Sequence, residues 1–388
     1  MSSTLPDEIV DLFGDDPHPE RSWRLLAPVD QDFVEQIALR SGTDPGRMTR
    51  ADFLHLDADA RRRRERRMQQ WYQSWPYMRT GQYRLAERRI AALPEPKPGR
   101  APDLLAAPFI TGESGVGKTF FLKHVATRAI TESAWNRRLD LEDGVVESDP
   151  TYRSTWRPVI WHSLQGNPTP KSLFRTLCSS LGVPTGDDPH ASFTTAAQRH
   201  GVRWIFLDEM QMVNYDGQYG RYLHDALKAL QNQGFRLVMG GHNMRSVFRR
   251  QKTAAQNAAR MQSEARWAFI DFSRYEHRTP QQVKEWRTLL GRLDDRLRLE
   301  GHEPGERVLS QQFEEYLWVS TLGYANSLAT LVTDACIGAM RTPSQRITRA
   351  LLDDGGVEDR VAQGRQERIR LWESGRLSWS TDWPAWAV

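Results

Sequence analysis

Eight consecutive residues, Gly112-Glu113-Ser114-Gly115-Val116-Gly117-Lys118-Thr119, constrain this chain more than any other stretch. They fit G-x-x-x-x-G-K-[ST], the spacing of a phosphate-binding loop. Glycines at 112, 115 and 117 let the backbone turn tightly, so that its N–H groups point inward at phosphate oxygens. Lys118 adds a mobile cation for β- and γ-phosphates, and the Thr119 hydroxyl suits Mg²⁺. Such a loop belongs between a buried strand and a helix N-terminus, which favours anions. Both flanks comply. Leu104 to Ile110 is an apolar run, and Phe120-Phe121-Leu122-Lys123-His124-Val125 reads as the first turns of a helix. The expected ligand is ATP with Mg²⁺, held by residues 112–119.

A second element completes the chemistry. Arg203-Trp204-Ile205-Phe206-Leu207-Asp208-Glu209 is an apolar strand that ends in two acids, about ninety residues beyond the loop. At the carboxyl edge of a parallel sheet, Asp208 would hold Mg²⁺ and Glu209 would orient and deprotonate an attacking water. Strands are also expected at Pro158–Leu164, Phe235–Asn243 and Trp267–Phe272, with helices between them. That alternation argues for a parallel α/β sheet. His242 and Asn243 follow one strand, where a polar side chain would sense the γ-phosphate. A backbone contact through Gly241, or an ordinary capping turn, fits the same residues. Arg260 and Arg266 precede the last strand. Arg266 is the preferred candidate for a catalytic arginine reaching a neighbouring subunit's nucleotide, against a plain surface arginine.

The remaining segments are helical or irregular. Asp7 to Pro19 is acidic and proline-punctuated, and is expected to be loose. Arg61-Arg62-Arg63-Arg64-Glu65-Arg66-Arg67 runs into Trp71, Tyr72, Trp75, Tyr77 and Tyr83. Basic residues beside aromatics suit nucleic-acid backbone contact with stacking. A solvated helix face whose aromatics dock on the sheet domain fits equally. Arg61, Arg62, Arg63 and Arg64 are the first candidates for DNA contact, with Arg153, Arg157 and Lys171 behind them. After Thr279-Pro280 the strand pattern stops, and helices are expected around 280–298, 309–319, 324–340 and 343–354. Trp372 to Val388 reads as a poorly ordered tail. Its Trp379, Trp383 and Trp386 would dock either on the protein itself or on a partner. The domain reading is 1–98 as a helical, basic extension, 99–276 as the nucleotide-binding domain, 277–356 as a helical lid and 357–388 as the tail. Composition excludes some classes. Of 388 residues, 39% are hydrophobic and 26% charged, which suits a soluble protein. No apolar run is long enough to span a bilayer, and no signal peptide opens the chain, so a cytoplasmic location without membrane attachment is expected. Cys178 and Cys336 alone make neither a disulfide framework nor a zinc site.

Taken together, the motifs resemble an AAA+ ATPase, and more narrowly the TniB/TnsC group of transposon ATPases, kin to MuB. The resemblance runs from about Trp71 to Met340. It rests on GESGVGKT at 112–119, WIFLDEMQMV at 204–213, VMGGHN at 238–243 and LGYANSLATLVTDA at 322–335. The PVIWHSLQGNPTPKSLFRTLCSSLGVP segment at 158–184 agrees. Gly-Gly-His at 240–242 departs from the group's commoner Gly-Thr ending. Asn326 stands where related ATPases often carry an arginine near the nucleotide. The resemblance implies an α/β fold: a P-loop AAA+ parallel sheet flanked by helices, with a C-terminal helical lid domain and an N-terminal helical extension. It also implies slow Mg²⁺-dependent ATP hydrolysis and homo-oligomeric rings or filaments on double-stranded DNA. The partners it implies are a transposase, a targeting subunit or both. Two rivals stay open: a defence or signalling ATPase that oligomerises on a protein trigger, and a nucleotide-dependent scaffold that does not hydrolyse.

Overall fold

The computed structural model describes residues 5–38, 42–93, 106–145, 155–213, 218–245 and 266–376. The apolar runs become five parallel strands: β1 (Ala107–Gly112), β2 (Val159–Ser163), β3 (Trp204–Asp208), β4 (Arg236–His242) and β5 (Trp267–Phe272). Their order is β2-β3-β4-β1-β5. Parallel strands are covered on both faces, which is why these read as unbroken apolar runs. Ile160, Ile205, Leu207, Leu237 and Met239 are all buried in a core with Phe174 and Leu177 of the helix Pro170–Ser180 and Phe193 of the helix Pro189–Arg199. The first of these helices starts as its sequence directs: the Ser172 N–H donates to Thr169 Oγ1 at 3.1 Å, with Pro170 at the first helical position. This is the P-loop AAA+ fold, a parallel sheet flanked by helices with helical regions at both ends.

Register fixes where the chemistry sits. Gly112 lies opposite His242 and Phe272, and Ser163 opposite Asp208. The carboxyl ends of the strands therefore share one edge, where open α/β sheets bind ligands.

By internal contacts the chain forms two compact units. The sheet unit takes in Met1–Leu39, Gln82–Ser114 and Lys118–Phe272; the helical unit takes in Arg40–Gly81, Gly115–Gly117 and Ser273–Val388. The expected 1–98 extension is thus shared between the two. Its first part is not loose. Proline at the first position starts the helix Pro19–Trp23, while Ile9 and Phe13 are buried. A buried network ties this segment to the long helix Lys118–Glu142. There Arg138 donates to Asp16 Oδ1 at 2.9 Å and to Ser22 Oγ at 3.1 Å, and Ser22 donates to Asp16 Oδ2. Asp30 of the helix Pro28–Ala38 pairs with Arg157 at 3.2 Å. Burial pushes its carboxyl up to about 6, against the pull of that guanidinium.

In the helical unit Trp71 and Tyr72 form core, while Trp75 and Tyr77 are half-buried. Trp71 Nε1 donates to the Arg296 carbonyl at 2.8 Å, and the Arg296 guanidinium stacks 3.6 Å from the Trp71 ring centre. The Tyr72 hydroxyl accepts from the Arg298 N–H at 2.7 Å. Tyr83, in the sheet unit, instead packs on Phe121 and Phe272. Neither base stacking nor simple docking on the sheet describes the whole series. The helix at Pro280–Arg296 opens with a capping box between Thr279 and Gln282. Helices follow at Glu314–Thr321, Ala325–Met340 and Arg349–Asp354. Two more, Asp359–Ala362 and Arg365–Glu373, occupy the start of the expected tail, and Trp372 donates to Glu315 at 3.1 Å. Trp379, Trp383 and Trp386 lie outside the described residues. Among the described residues no helix is long and apolar enough to cross a membrane.

Candidate nucleotide site

The loop between β1 and the helix Lys118–Glu142 has Gly115 and Gly117 at φ +74° and +93°, conformations that a side chain rarely tolerates. Val116 is buried, while Glu113 and Ser114 are exposed. Lys118 is 9% exposed and donates through Nζ to the Gly112 carbonyl at 3.0 Å and the Glu113 carbonyl at 2.5 Å. Its ammonium is held over the loop, where phosphate oxygens would add further acceptors.

Thr119 opens the helix and donates from Oγ1 to Asp208 Oδ2 at 2.6 Å. The sequence separates this pair by eighty-nine positions; the shared strand edge joins it. Asp208 is 1% exposed, and its Oδ1 has no hydrogen-bond partner among the described residues. A buried carboxylate oxygen without a donor is costly and calls for a partner. Hard oxygen donors, one unsatisfied, fit a divalent cation such as Mg²⁺. Thr119 Oγ1 and Asp208 are the residues that would hold it.

β4 explains its own Gly-Gly. A Cβ on Gly240 would stand 2.8 Å from Asp208 Oδ1 and clash with Leu122 at its other side. A Cβ on Gly241 would stand 2.7 Å from Met244 and 3.2 Å from Gln211 Oε1. Only glycine at 240 leaves Asp208 its room. The turn beyond is a cap: Asn243 is left-handed at φ +46°, its N–H donates to the Gly112 carbonyl at 3.2 Å, and the Met244 N–H donates to Thr111 Oγ1 at 2.8 Å. It pins the end of β4 to the start of the loop. The Asn243 amide also donates to His242 Nε2 at 3.2 Å.

Glu209 leaves β3 in the left-handed region, φ +59° and ψ +36°. That conformation costs a glutamate on the order of 1 kcal/mol and persists only where surroundings impose it. One neighbour doing so is Gln211, which sequence inspection passed over. Its side-chain amide donates to Glu209 Oε2, and its Oε1 accepts from the His242 N–H at 2.8 Å. One amide therefore ties the acidic end of β3 to the end of β4. The signal was present in Asp-Glu-Met-Gln, where a polar residue two positions past the acid follows an otherwise apolar run.

Other expected residues fall elsewhere. Arg266 precedes β5, at the amino edge of the sheet, and donates to Asn232 Oδ1 at 2.8 Å. Six residues of strand at ~3.3 Å each separate it from the edge that carries Lys118, so it does not serve the site of its own chain. An arginine that does stand beyond a strand's carboxyl end is Arg245, paired with Asp271 at 2.8 Å. Asn326 begins its helix and donates to Glu358 at 2.6 Å. Two DNA-contact candidates are withdrawn. Arg157 is spent on Asp30 and the Ser180 carbonyl. Arg64 is 2% exposed and donates to Glu300 Oε1 at 2.6 Å. Arg62, Arg63 and Lys171 are exposed, Arg61 is half-buried, and Arg153 lies outside the described residues.

Loop, strand edge and acid pair build a candidate nucleotide site on a sheet of the P-loop AAA+ fold. Residues 106–248 match the protein family described as AAA domain. No curated protein matches the chain in sequence. Among solved structures, the ORC1 protein of Aeropyrum pernix in complex with DNA is similar at 17% identity and a TM-score of 0.49, over 79% of this chain and 70% of that one. Cdc6p of Pyrobaculum aerophilum is similar at 16% identity and 0.45, over 75% and 72%. AMPPCP-bound DnaA of Aquifex aeolicus is similar at 11% identity and 0.41, over 79% and 84%.

Proposed function

We propose that this protein is an ATP-dependent regulator of DNA transposition. It binds ATP and Mg²⁺ at residues 112–119 and Asp208, hydrolyses ATP slowly, oligomerises on double-stranded DNA, and recruits or activates a transposase at the target site. The observation that carries the nucleotide chemistry is the Thr119–Asp208 contact with its unpartnered buried Oδ1. Bound Mg²⁺ would neutralise charge developing on the β- and γ-phosphates. Around it Lys118 holds the phosphates, Glu209 takes a proton from the attacking water, and Gln211 fixes the glutamate's position. The transposition reading rests on the resemblance of the four sequence motifs. The test is phosphate release with and without duplex DNA, together with electron microscopy of the protein with ATP and duplex. DNA-stimulated turnover and a ring or filament around DNA are expected. Turnover indifferent to DNA would favour the rival, a signalling ATPase triggered by a protein.

Two expectations follow for single residues. Gln211→Ala should lower kcat by roughly 10- to 100-fold through misplacement of the glutamate, with ATP affinity kept. Steady-state kinetics separates the two quantities, and an unchanged kcat would remove Gln211 from the machinery. Arg266 is proposed to act on a neighbouring subunit's nucleotide. Arg266→Ala should then lose turnover but keep ATP binding, and mixing it with Glu209→Gln protein should restore activity at mixed junctions. No recovery in assemblies shown to be mixed would count against action in trans.

A further inference from the structure

The basic run is folded into the helix Ala58–Gln73, and the helix sorts its arginines by face. Arg64, Met68, Trp71 and Tyr72 are buried. Arg62, Arg63, Arg66 and Arg67 are exposed. These four form two columns with i,i+4 spacing, each pair about 6 Å apart along the axis. None of the four makes an ion pair or hydrogen bond with another described residue, and the acids of the same helix, Asp59 and Glu65, make no ion pair with them. Like charges four residues apart destabilise a helix, so a quartet that makes no ion pair with the acids of its own helix gains little to offset that repulsion. No large apolar side chain is exposed on this helix, which leaves nothing to insert into a lipid surface. Of the aromatics that could have stacked on unpaired bases, Trp71 and Tyr72 are buried, Trp75 is half-buried with its Nε1–H given to Thr333 at 3.1 Å, and Tyr77 is half-buried.

We infer that the Arg62–Arg63–Arg66–Arg67 face is the surface that grips the phosphate backbone of duplex DNA, without reading base sequence. This deepens the proposed function and rests on its duplex-binding part. It also shifts the contact set by register: Arg66 and Arg67 enter it, and the half-buried Arg61 and the buried Arg64 leave it. Guanidinium forks match phosphate oxygens, and each phosphate contact releases counterions.

The experiment compares full-length wild type, a quadruple variant (Arg62→Gln, Arg63→Gln, Arg66→Gln, Arg67→Gln) and a charge-matched control. The control replaces Arg88, Arg175, Arg341 and Arg376, all exposed, by glutamine. Each is titrated with ATP against a mixed-sequence duplex between 0.05 and 0.2 M salt. For the face variant the slope of log affinity against log salt should fall by about 3 to 4, equally for duplexes of different sequence, while the control keeps the wild-type slope. Circular dichroism and ATP binding verify that the variants are folded. Equal losses in face variant and control would reduce the effect to net charge and overturn the inference. An unchanged slope in the face variant would overturn it while leaving the proposed function standing. Wild-type protein that ignores duplex but binds phosphatidylserine vesicles through this face would overturn both.

Discussion

Glu209→Gln should lower ATP turnover by ~10²–10⁴-fold and leave ATP affinity within a few-fold of wild type. General-base catalysis accounts for that range, and an amide cannot accept the proton of the attacking water. The structure adds a reason to expect the upper part of it. Glu209 is held in a left-handed conformation, with its carboxylate anchored by Gln211. Glutamine keeps the shape while removing the basicity. Lys118→Ala should do the opposite. It removes the one cation of the loop, now poised over the Gly112 and Glu113 carbonyls. A charge-assisted hydrogen bond is worth ~1.5–3 kcal/mol, so ATP affinity should fall by about 10- to 150-fold or more. Nucleotide binding and single-turnover phosphate release together distinguish the two variants. Wild-type turnover in Glu209→Gln would show that another group activates the water.

Arg64→Ala should destabilise the helical unit by ~3–5 kcal/mol, the penalty for leaving one member of a buried ion pair alone. Arg64 and Glu300 have side chains 3% and 2% exposed, and the guanidinium also satisfies the Pro45 and Gly46 carbonyls at 2.9 and 3.0 Å. Substituting Arg62 or Arg63 should change stability by no more than about 0.5 kcal/mol, because both are exposed and unpaired. A second variant separates charge from packing. Arg64→Met with Glu300→Leu removes both charges at similar volume and should recover most of the loss. Urea unfolding of the single and double variants measures this. A double variant as unstable as Arg64→Ala would mean that the two carbonyl contacts, and not the charge pair, hold the helix.

Signals carried by one segment are legible in the sequence: the loop spacing, the five apolar runs, the Thr169 cap. Each is a local rule of period, turn chemistry or capping, and the five strands and the Thr169 cap stand where such rules put them. What escaped notice depends on elements far apart in the chain. Gln211 matters because β4 lies beside β3. Gly240 is glycine because Asp208 leans over it. Seven arginine-rich residues look alike in a list, yet the helix turns Arg64 toward Glu300, 236 positions away. Arg266 precedes its strand in the sequence, and only the parallel order of the sheet sets it on the amino edge. The expectation of a loose Asp7–Pro19 segment fails because acidity and prolines do not reveal distant partners. Asp16 and Asp30 are buried against arginines that lie more than a hundred positions downstream.

The division of the chain between its two units has a practical side. The backbone passes from one unit to the other at Leu39–Arg40, at Gly81–Gln82, at Ser114–Gly115, at Gly117–Lys118 and at Phe272–Ser273. A fragment ending at residue 272 would keep Trp71, Tyr72 and Arg64 but lack Arg296, Arg298 and Glu300, the groups that satisfy them. A fragment beginning at 273 would carry those groups with nothing to receive. Neither half is a self-sufficient expression unit, and cleavage at any single crossing would leave a nicked molecule whose pieces still share a core.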